Sequence, residues 1–307
     1  MMKERTLRVL EFTKIRDRLA SKAMTDMGRE RCEALVPSSN MTEIQRMQAE
    51  TEEATVILQY VGASPLVPFS DVRASLTLAE KGATLSPKAL LEVASLMQSA
   101  RAARKALDTE RDNTPILKEL AQRLSTLHNV EQDITNAIIS EDEIADRASN
   151  ELMDIRRHLR GANERIKEKL NQMIRSSAFQ KYLQDPIVTM RNDRYCLPVK
   201  AEYRGSVPGL VHDQSSTGAT LFIEPMAAVE MGNELKTWAA KEKQEIERIL
   251  AALSAEIAPY ADQLRETVET LAELDYIFAK GMLSREMNAV SPKLNQNAYI
   301  NIFLLYT

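Results

Sequence analysis

The sequence contains little glycine, few aromatic residues and almost no cysteine. Its 307 residues include 9 glycines, 5% aromatic residues and 2 cysteines, whereas 44% are hydrophobic. This composition is typical of long helices with aliphatic seams and argues against a large sheet. The two cysteines, Cys32 and Cys196, cannot alone form a disulfide framework or a zinc site, so the sequence favours a reducing compartment.

Long apolar runs are missing as well. No run approaches about 18 residues, the length that indicates a transmembrane helix. The opening residues, Met1-Met2-Lys3-Glu4, do not begin a signal peptide. We therefore expect a soluble cytoplasmic protein without membrane contact. The net charge of −4 argues against a uniformly basic nucleic-acid binder but is compatible with a local basic surface.

The sequence contains no recognisable catalytic constellation. The G-x-x-x-x-G-K pattern that cradles phosphates does not occur, so we expect this chain neither to bind nor to hydrolyse ATP, and we expect no cofactor. His212 and Asp213, with two serines nearby, have the residue types of a hydrolase triad. Neighbouring strand residues point to opposite faces, however, and no set of residues has metal-ligand spacing. The chain is predicted to be a binding or assembly module and not an enzyme.

One stretch, residues 186–225, is predicted to form β-structure. Branched and aromatic residues are concentrated in four short runs, which predict four antiparallel strands over 187–190, 195–199, 209–214 and 219–223. Asn192-Asp193 predicts a tight turn between the first two strands, because both residue types tolerate positive φ. Ser215 to Gly218 predicts a second turn, between the last two strands.

Helical patterns flank this stretch on both sides. Between Thr6 and Leu127, helical spacing and cap signals predict a body of helices of roughly 10 to 20 residues. The predicted N-caps are Thr42, Ser86 (before Pro87) and the Asn113-Thr114 pair (before Pro115).

Two longer helices are predicted next to the β-stretch. The first is capped by Ser149 and continues to about Leu183, with apolar residues in heptad steps at Leu152, Ile155, Leu159, Ala162, Ile166 and Met173. The second follows Pro225, with a kink or short break at Pro259. We expect the two to pair as an antiparallel coiled coil, and the chain after Pro259 to return to the N-terminal helices. The predicted fold class is mainly α, with a helical core and a coiled coil that carries a small antiparallel sheet.

The first long helix carries excess positive charge. Residues 152–184 contain eight basic and three acidic side chains, a difference of +5, whereas residues 226–256 contain four basic and six acidic ones, a difference of −2. Two interpretations remain open: a solvated helix pair with cross-helix ion pairs, or a surface that faces phosphates.

Six arginines are the predicted nucleic-acid contacts. Arg156 and Arg160 share one face of the helix, Arg157 lies about 100° further round, and all three are expected to point away from the seam. Arg191 and Arg194 flank the predicted turn, and Arg204 follows in the same β-stretch. Replacing Arg191 and Arg194 is expected to leave folding almost unchanged, because exposed charges contribute little. The six predicted site residues are Arg156, Arg157, Arg160, Arg191, Arg194 and Arg204.

Three segments of the chain resemble a known family. The segment VHDQSSTGATLFIEP, residues 211–225, resembles the signature of the bacterial MutS type-two family. DPIVTMRNDRYCLPVKAEYRGSVPG at 185–209 and TLRVLEFTKIRDRLA at 6–20 are similar to the same family. The resemblance extends from Thr6 to about Ile302. It implies a MutS-like core, a lever of two long helices, and a β clamp.

Division into these parts follows from the resemblance. It assigns 1–130 to the first part of the helical core, 131–184 to the outgoing lever helix and 185–225 to the clamp. It assigns 226–264 to the returning lever helix and 265–302 to the return into the core. The tail 303–307 departs from the family's pattern and is given no place in the fold.

The resemblance also implies a function beyond this chain. Family members are dimers that carry an ATPase domain, which uses ATP and magnesium, and usually a C-terminal endonuclease domain; both would lie beyond residue 307. The chain would then be a clamp that acts on branched or duplex DNA to suppress recombination. Alternatively, it would be an arm that engages stalled or collided ribosomes, or a structural dimerisation arm. The sequence leaves these open, because phosphate contacts with DNA and RNA look alike.

Overall fold

Helices dominate the structure, as the sequence predicted. The computed structural model describes residues 4–108, 113–295 and 297. Within these residues, the α-helices are α1 Glu4–Val9, α2 Phe12–Ala20, α3 Asp26–Glu33, α4 Met41–Val61, α5 Arg73–Glu80, α6 Pro87–Leu107, α7 Pro115–Gln122, α8 His128–Ala137, α9 Asn150–Arg175, α10 Ser177–Gln180, α11 Met226–Ile257 and α12 Ala261–Glu286. The strands are β1 Ile138–Ser140, β2 Glu143–Ile144, β3 Thr189–Arg191, β4 Arg194–Lys200, β5 Gly209–Gln214 and β6 Thr220–Pro225. The tail 303–307 lies outside the described residues.

The chain divides into two compact units. The first unit comprises residues 1–135, 140–142 and 251–307, and the second unit comprises 136–139 and 143–250. Helix α11 belongs to both, because the division falls between residues 250 and 251. A 3₁₀ turn at Ala258–Tyr260 separates α11 from α12, which confirms the predicted break at Pro259.

Helix α12 is the central element of the first unit. It packs against each of α2 to α7, so the predicted return of the chain to the N-terminal helices is confirmed. Its buried side chains include Leu264, Val268, Leu271 and Phe278. Burial of an aliphatic seam of this length is the main stabilising contribution to a helical domain.

Two buried carboxylates of the first unit accept hydrogen bonds at helix starts. Asp275 accepts from the backbone N–H of Met24 at 3.0 Å, and from the N–H and hydroxyl of Thr25 at 2.8 and 2.6 Å. Glu53 accepts from the N–H groups of Ile116 and Leu117 at 3.2 and 2.8 Å, at the start of α7. These bonds satisfy N–H groups that have no partner inside their own helices.

The predicted N-caps are confirmed in part. Ser86 and Ser149 accept bonds from Ala89 N and Leu152 N, as expected of N-caps. The cap of α4 is Asn40 and not Thr42, because the Asn40 side chain accepts from the N–H of Thr42 itself. Thr114 makes no side-chain cap bond, and Glu53 takes its place.

The second unit contains the four-stranded sheet that the sequence predicted. The strand order is β3-β4-β6-β5, and each neighbouring pair is antiparallel. Asn192 and Asp193 have φ values of 50° and 57°, which confirms the tight turn between β3 and β4. A β-bulge in β5 lies between Val211 and Asp213, so His212 is the extra residue opposite β6.

The first long helix is shorter than predicted. The expectation of one uninterrupted helix to about Leu183 is wrong, because α9 ends at Arg175 and Ser176 is extended, with a ψ of 121°. The chain then runs beside β4: Gln184 N donates to Pro198 O at 2.8 Å, and Lys200 N donates to Tyr182 O at 3.0 Å. A helix cannot make these sheet-like bonds, so it must end before them.

The segment before α9 also differs from a continuous helix. Residues 131–149 comprise the rest of α8, the β1–β2 hairpin and a 3₁₀ turn at Asp146–Ala148. The acidic run Glu141 to Glu143 lies in this hairpin. The outgoing lever helix assigned to 131–184 therefore corresponds to several short elements and α9.

Helix α9 and the part of α11 in the second unit lie side by side and antiparallel. Leu152, Ile155 and Ala162 of the predicted seam are buried, and Leu159 is half-buried. Cross-helix contacts fall in opposite chain order: Ser149 with Glu245, Arg156 with Glu242, His158 stacked on Trp238, and Arg165 with Glu234. The end of α9 packs onto the sheet through the apolar cluster Ile166, Leu170, Leu183, Leu197, Val199, Val207, Ile223 and Ala228.

Candidate nucleic-acid interface

The six predicted arginines all lie in the second unit, but their side chains have different surroundings. Arg156 is only 20% exposed. Its guanidinium donates to Glu242 at 2.7 Å, to Asp146 at 2.6 Å and to the carbonyl of Ile144 at 2.7 Å. The expectation that Arg156 points freely outward is wrong, because it lies beside the seam and joins α11 to the segment before α9.

Arg157 and Arg160 are exposed, as predicted. Arg157 pairs with Asp154 of the same helix at 2.6 Å, and Arg160 pairs with Asp146 at 3.2 Å. Hydrogen bonds from Arg156 and Arg160 hold the pKa of Asp146 below its ordinary value, so this carboxylate stays charged at neutral pH. Exposed ion pairs of this kind contribute little, so phosphate could replace the carboxylate partner of either arginine.

Arg191, on the outer strand β3, stacks over the ring of Phe222. Its guanidinium carbon is 4.0 Å from the centre of the Phe222 ring, and its Nε is 3.2 Å from Asp213. Arg204 is exposed and donates to two backbone carbonyls, those of Val207 and Gly209. Both arginines therefore present part of a guanidinium to solvent while their stems are fixed.

Arg194 belongs to a buried polar cluster. It is 15% exposed and donates to Glu224, which is 2% exposed, at 3.1 Å. Its other terminal nitrogen donates to Asn233 at 2.8 Å. Glu224 also contacts His212, whose Nε2 lies 2.7 Å from the second carboxylate oxygen. Arg194 thus compensates a buried carboxylate and has little surface left for a ligand.

Helix α11 passes so close to this cluster that position 232 must be glycine. A Cβ added there would lie 2.6 Å from Glu224 Oε1 and 2.9 Å from Arg194 Nη1. Helix α11 can therefore approach the cluster only because position 232 has no side chain. His212 and Glu224 belong to the 211–225 segment. Their contacts in this cluster give them a packing role in the sheet and not a catalytic one.

Helix α9 and the segment after it carry further basic residues that are not among the six predicted arginines. Lys167, Lys169 and Arg175 are exposed, and among the described residues no carboxylate lies within 4.0 Å of their charged groups. Lys181 follows in the next segment, with its Nζ 4.8 Å from the centre of the Tyr182 ring. The excess of basic residues over 152–184 signalled this surface, but charge counting could not separate paired cations from unpaired ones.

Thiol and metal chemistry have no support in the described residues. Cys32 and Cys196 are buried and free, and they lie in different units. Burial raises the pKa of the Cys196 thiol to about 11 and that of Cys32 to about 12, so neither is a ready nucleophile. Across 4–108, 113–295 and 297, no three potential ligands among His, Cys, Asp and Glu are grouped to hold a metal ion.

The same described ranges contain no helix with the length and apolarity needed to cross a membrane.

Comparison with known proteins gives one consistent result. No family model matches the chain. It is 48% identical over 303 residues to endonuclease MutS2 of Alkaliphilus oremlandii, covering 98% of this chain and 38% of that protein. It is 46% identical over 306 residues to endonuclease MutS2 of Acetivibrio thermocellus and 45% identical over 304 residues to that of Clostridioides difficile, with the same coverage of both chains. The chain thus spans about 38% of the length of these curated relatives, and it belongs to the MutS type-two family.

Proposed function

We propose that the second unit is the nucleic-acid contact of a longer MutS-like ATPase that acts on branched or duplex DNA and suppresses recombination. In the terms of the family, it would supply the lever and the clamp, and the first unit the core. Similar proteins are named endonucleases, an activity that requires a nucleic-acid substrate. ATP hydrolysis and strand cleavage would reside in parts of the protein outside this chain.

One observation carries the proposal: cations remain exposed on the second unit after its internal ion pairs are accounted for. Lys167, Lys169 and Arg175 have no carboxylate partner among the described residues. Clustered unpaired cations repel one another, and their burial against nucleic acid is favourable because they neutralise phosphates and release the counterions condensed there.

The predicted arginines divide into two groups under this proposal. Arg157, Arg160, Arg191 and Arg204 would contact phosphates together with the unpaired cations, because part of each guanidinium is accessible. Arg156 and Arg194 would position these groups by holding α9 and the sheet in place. Contacts of this kind bind any sequence, so discrimination would come from the shape of the nucleic acid.

A matched pair of triple variants tests the proposal. The first replaces Lys167, Lys169 and Arg175 of the second unit by glutamine. The control replaces the exposed Lys81, Lys105 and Lys293 of the first unit by glutamine, so that both variants lose the same charge. Affinities for a labelled duplex and for a four-way DNA junction are measured at several salt concentrations.

The first variant is expected to bind more weakly to all sequences. The slope of log affinity against log salt should also decrease, by about 0.9 for each lost duplex phosphate contact. The control should keep the slope of the parent. Equal slopes for all three proteins would contradict the proposal. A parallel measurement with purified ribosomes decides whether RNA is the stronger ligand of the same surface.

A further inference from the structure

A cleft of about 370 Å³ opens where α9 ends. Its apolar part is formed by Met173, Ala178, Phe179 and Tyr182, and its polar part by Lys169, Gln172 and Ser176. The cleft exists because Ser176 leaves the helical conformation, so that the short α10 turns away from the axis of α9. No carboxylate lines it.

Two aromatic rings bound this cleft at right angles. The Phe179 and Tyr182 rings have centres 5.9 Å apart and planes at 87°. The Tyr203 ring packs against Tyr182, with a centre-to-centre distance of 5.3 Å. All three rings are half-buried against the apolar cluster of the second unit, so they are held in place and yet reach the surface. Rings fixed in this way lose little conformational entropy when they bind a flat ligand.

Cations flank the rings on the side of the solvent. Lys169 lines the cleft, and the Nζ of Lys181 lies 4.8 Å from the centre of the Tyr182 ring. Neither lysine has a carboxylate within 4.0 Å in the described part of the chain. A ligand that suits this arrangement has a flat apolar part and negative charge close to it.

We infer that this cleft binds an unpaired nucleotide, with its base stacked on Phe179 against the edge of Tyr182 and the adjoining phosphates facing Lys169 and Lys181. Every base has a π-face, so such a site accepts any sequence, and Gln172 and Ser176 offer hydrogen bonds to the base edge without fixing its identity. The inference deepens the proposed function: it rests on nucleic acid as ligand and adds that single-stranded segments, as found at branch points, are held here.

Binding of short probes separates the inference from the proposed function. Labelled (dT)12 and (rU)12 report on the cleft and distinguish DNA from RNA as the source of the nucleotide, whereas a blunt-ended, fully paired duplex reports on the phosphate surface. The variants are Phe179→Leu and Tyr182→Leu, which keep apolar side chains but remove the rings. Tyr182→Phe retains the ring, and Tyr60→Leu removes an exposed ring of the first unit as a matched control.

Phe179→Leu is expected to weaken single-strand binding by about 5- to 150-fold, the range for loss of one base–aromatic stack, with duplex binding changed less than about twofold. Tyr182→Leu should act in the same direction, and Tyr182→Phe and Tyr60→Leu should bind as the parent does. Unchanged single-strand affinity in both leucine variants overturns the inference. So does a parallel loss of duplex and single-strand binding in folded variants.

A parent chain that binds the duplex but not (dT)12 or (rU)12 overturns the cleft inference alone. A parent chain that binds none of the probes overturns the proposed function as well. If a leucine variant fails to fold, photo-cross-linking of the parent chain to 5-bromouracil oligonucleotides gives an independent result. Adducts at Phe179 or Tyr182 support the site, and adducts confined to other residues overturn it.

Discussion

Two buried carboxylates of the first unit and one of the second are stabilised in different ways. In the first unit, Asp275 and Glu53 accept hydrogen bonds from backbone N–H groups at the starts of other helices. In the second unit, Glu224 is neutralised by the cationic Arg194 and contacted by His212. Asp275 and Glu53 thus fix helix starts by accepting from backbone N–H groups and not from cations. Glu224, by contrast, takes up the positive charge of Arg194 inside the second unit. A count of charges along the second unit therefore overstates the cationic surface that a ligand could meet.

The largest expected effect is on the first unit, from Asp275→Ala. Two buried donors on Thr25 and a part-buried one on Met24 would lose their acceptor, and each buried unsatisfied group costs about 1 to 3 kcal/mol. We expect a loss of about 3 kcal/mol or more, measured by urea unfolding followed by circular dichroism. Asp262→Ala, on the same helix but exposed, is the control and should change stability by less than about 0.5 kcal/mol. A loss below about 1 kcal/mol in Asp275→Ala would contradict the assigned role.

Two glycine substitutions in the second unit should act with opposite sign. Gly232→Ala places a Cβ against Glu224 and Arg194 and should destabilise by about 2 kcal/mol, because the buried ion pair must shift. Gly161→Ala in α9 places its Cβ 3.5 Å from Arg165, an ordinary contact. It should stabilise by about 0.5 to 1 kcal/mol through higher helix propensity. Thermal unfolding of both variants measures the two changes in stability. Changes of the same sign would contradict the conclusion that position 232 is crowded and position 161 is not.

Two arginines of the sheet distinguish structural from surface charge. Arg194→Ala leaves Glu224 buried without its guanidinium and should destabilise by about 2 kcal/mol. Arg191→Ala removes a partly exposed group and should cost less than about 1 kcal/mol. This changes the expectation that both replacements leave folding unaffected. Chemical unfolding of the two single variants tests the order, and a reversed order would mean that Glu224 does not depend on Arg194.

The smallest effects concern pH and should have opposite direction in the two units. Burial raises the pKa of Glu53 above its ordinary 4.5, against the effect of the Leu117 N–H group. The Arg248 hydrogen bond lowers the pKa of Glu245. Glu53 therefore contributes more as pH falls from its raised folded pKa towards 4.5, whereas the contribution of Glu245 is present above 4.5 and is lost as pH falls through its lowered folded pKa.

Glutamine variants of these two residues measure the pH effects. Relative to Glu53→Gln, the parent should gain melting temperature as pH falls. Relative to Glu245→Gln, the parent should have a higher melting temperature above pH 4.5, and this difference should shrink as pH falls. Differences that vary in the same direction with pH would show that the two carboxylates are not in contrasting environments.

Local sequence signals predicted the elements that depend on local geometry. Short runs rich in branched and aromatic residues predicted the four strands of the sheet, and the tolerance of Asn192 and Asp193 for positive φ predicted the turn between β3 and β4. Ser86 and Ser149 were recognisable as caps because the capping bond spans only three residues. The break at Pro259 followed from the missing N–H of proline.

Features that depend on distant partners were not predictable in this way. Heptad spacing continues through Met173, so the end of α9 at Arg175 follows only from the bonds between residues 182–184 and β4. Arg156 is paired with Glu242, 86 positions away, and Arg194 with Glu224, 30 positions away. Glycine at position 232 is required only because a helix approaches that ion pair. Such pairings depend on the tertiary fold, which neither periodicity nor charge counts contain.

The bulge in β5 places one residue, His212, outside the regular pairing with β6. Val211 pairs with Ile223 and Asp213 with Phe222, so the two partners on β6 are consecutive while those on β5 are not. Deleting His212 would therefore leave a regular ladder without any gap. The change would nevertheless remove two contacts: the His212 ring beside Glu224, and the His212 carbonyl that accepts from the Asn192 side chain at 3.0 Å. The extra residue of the bulge therefore links β5 to the buried Glu224 through its side chain and to the β3–β4 turn through its backbone carbonyl.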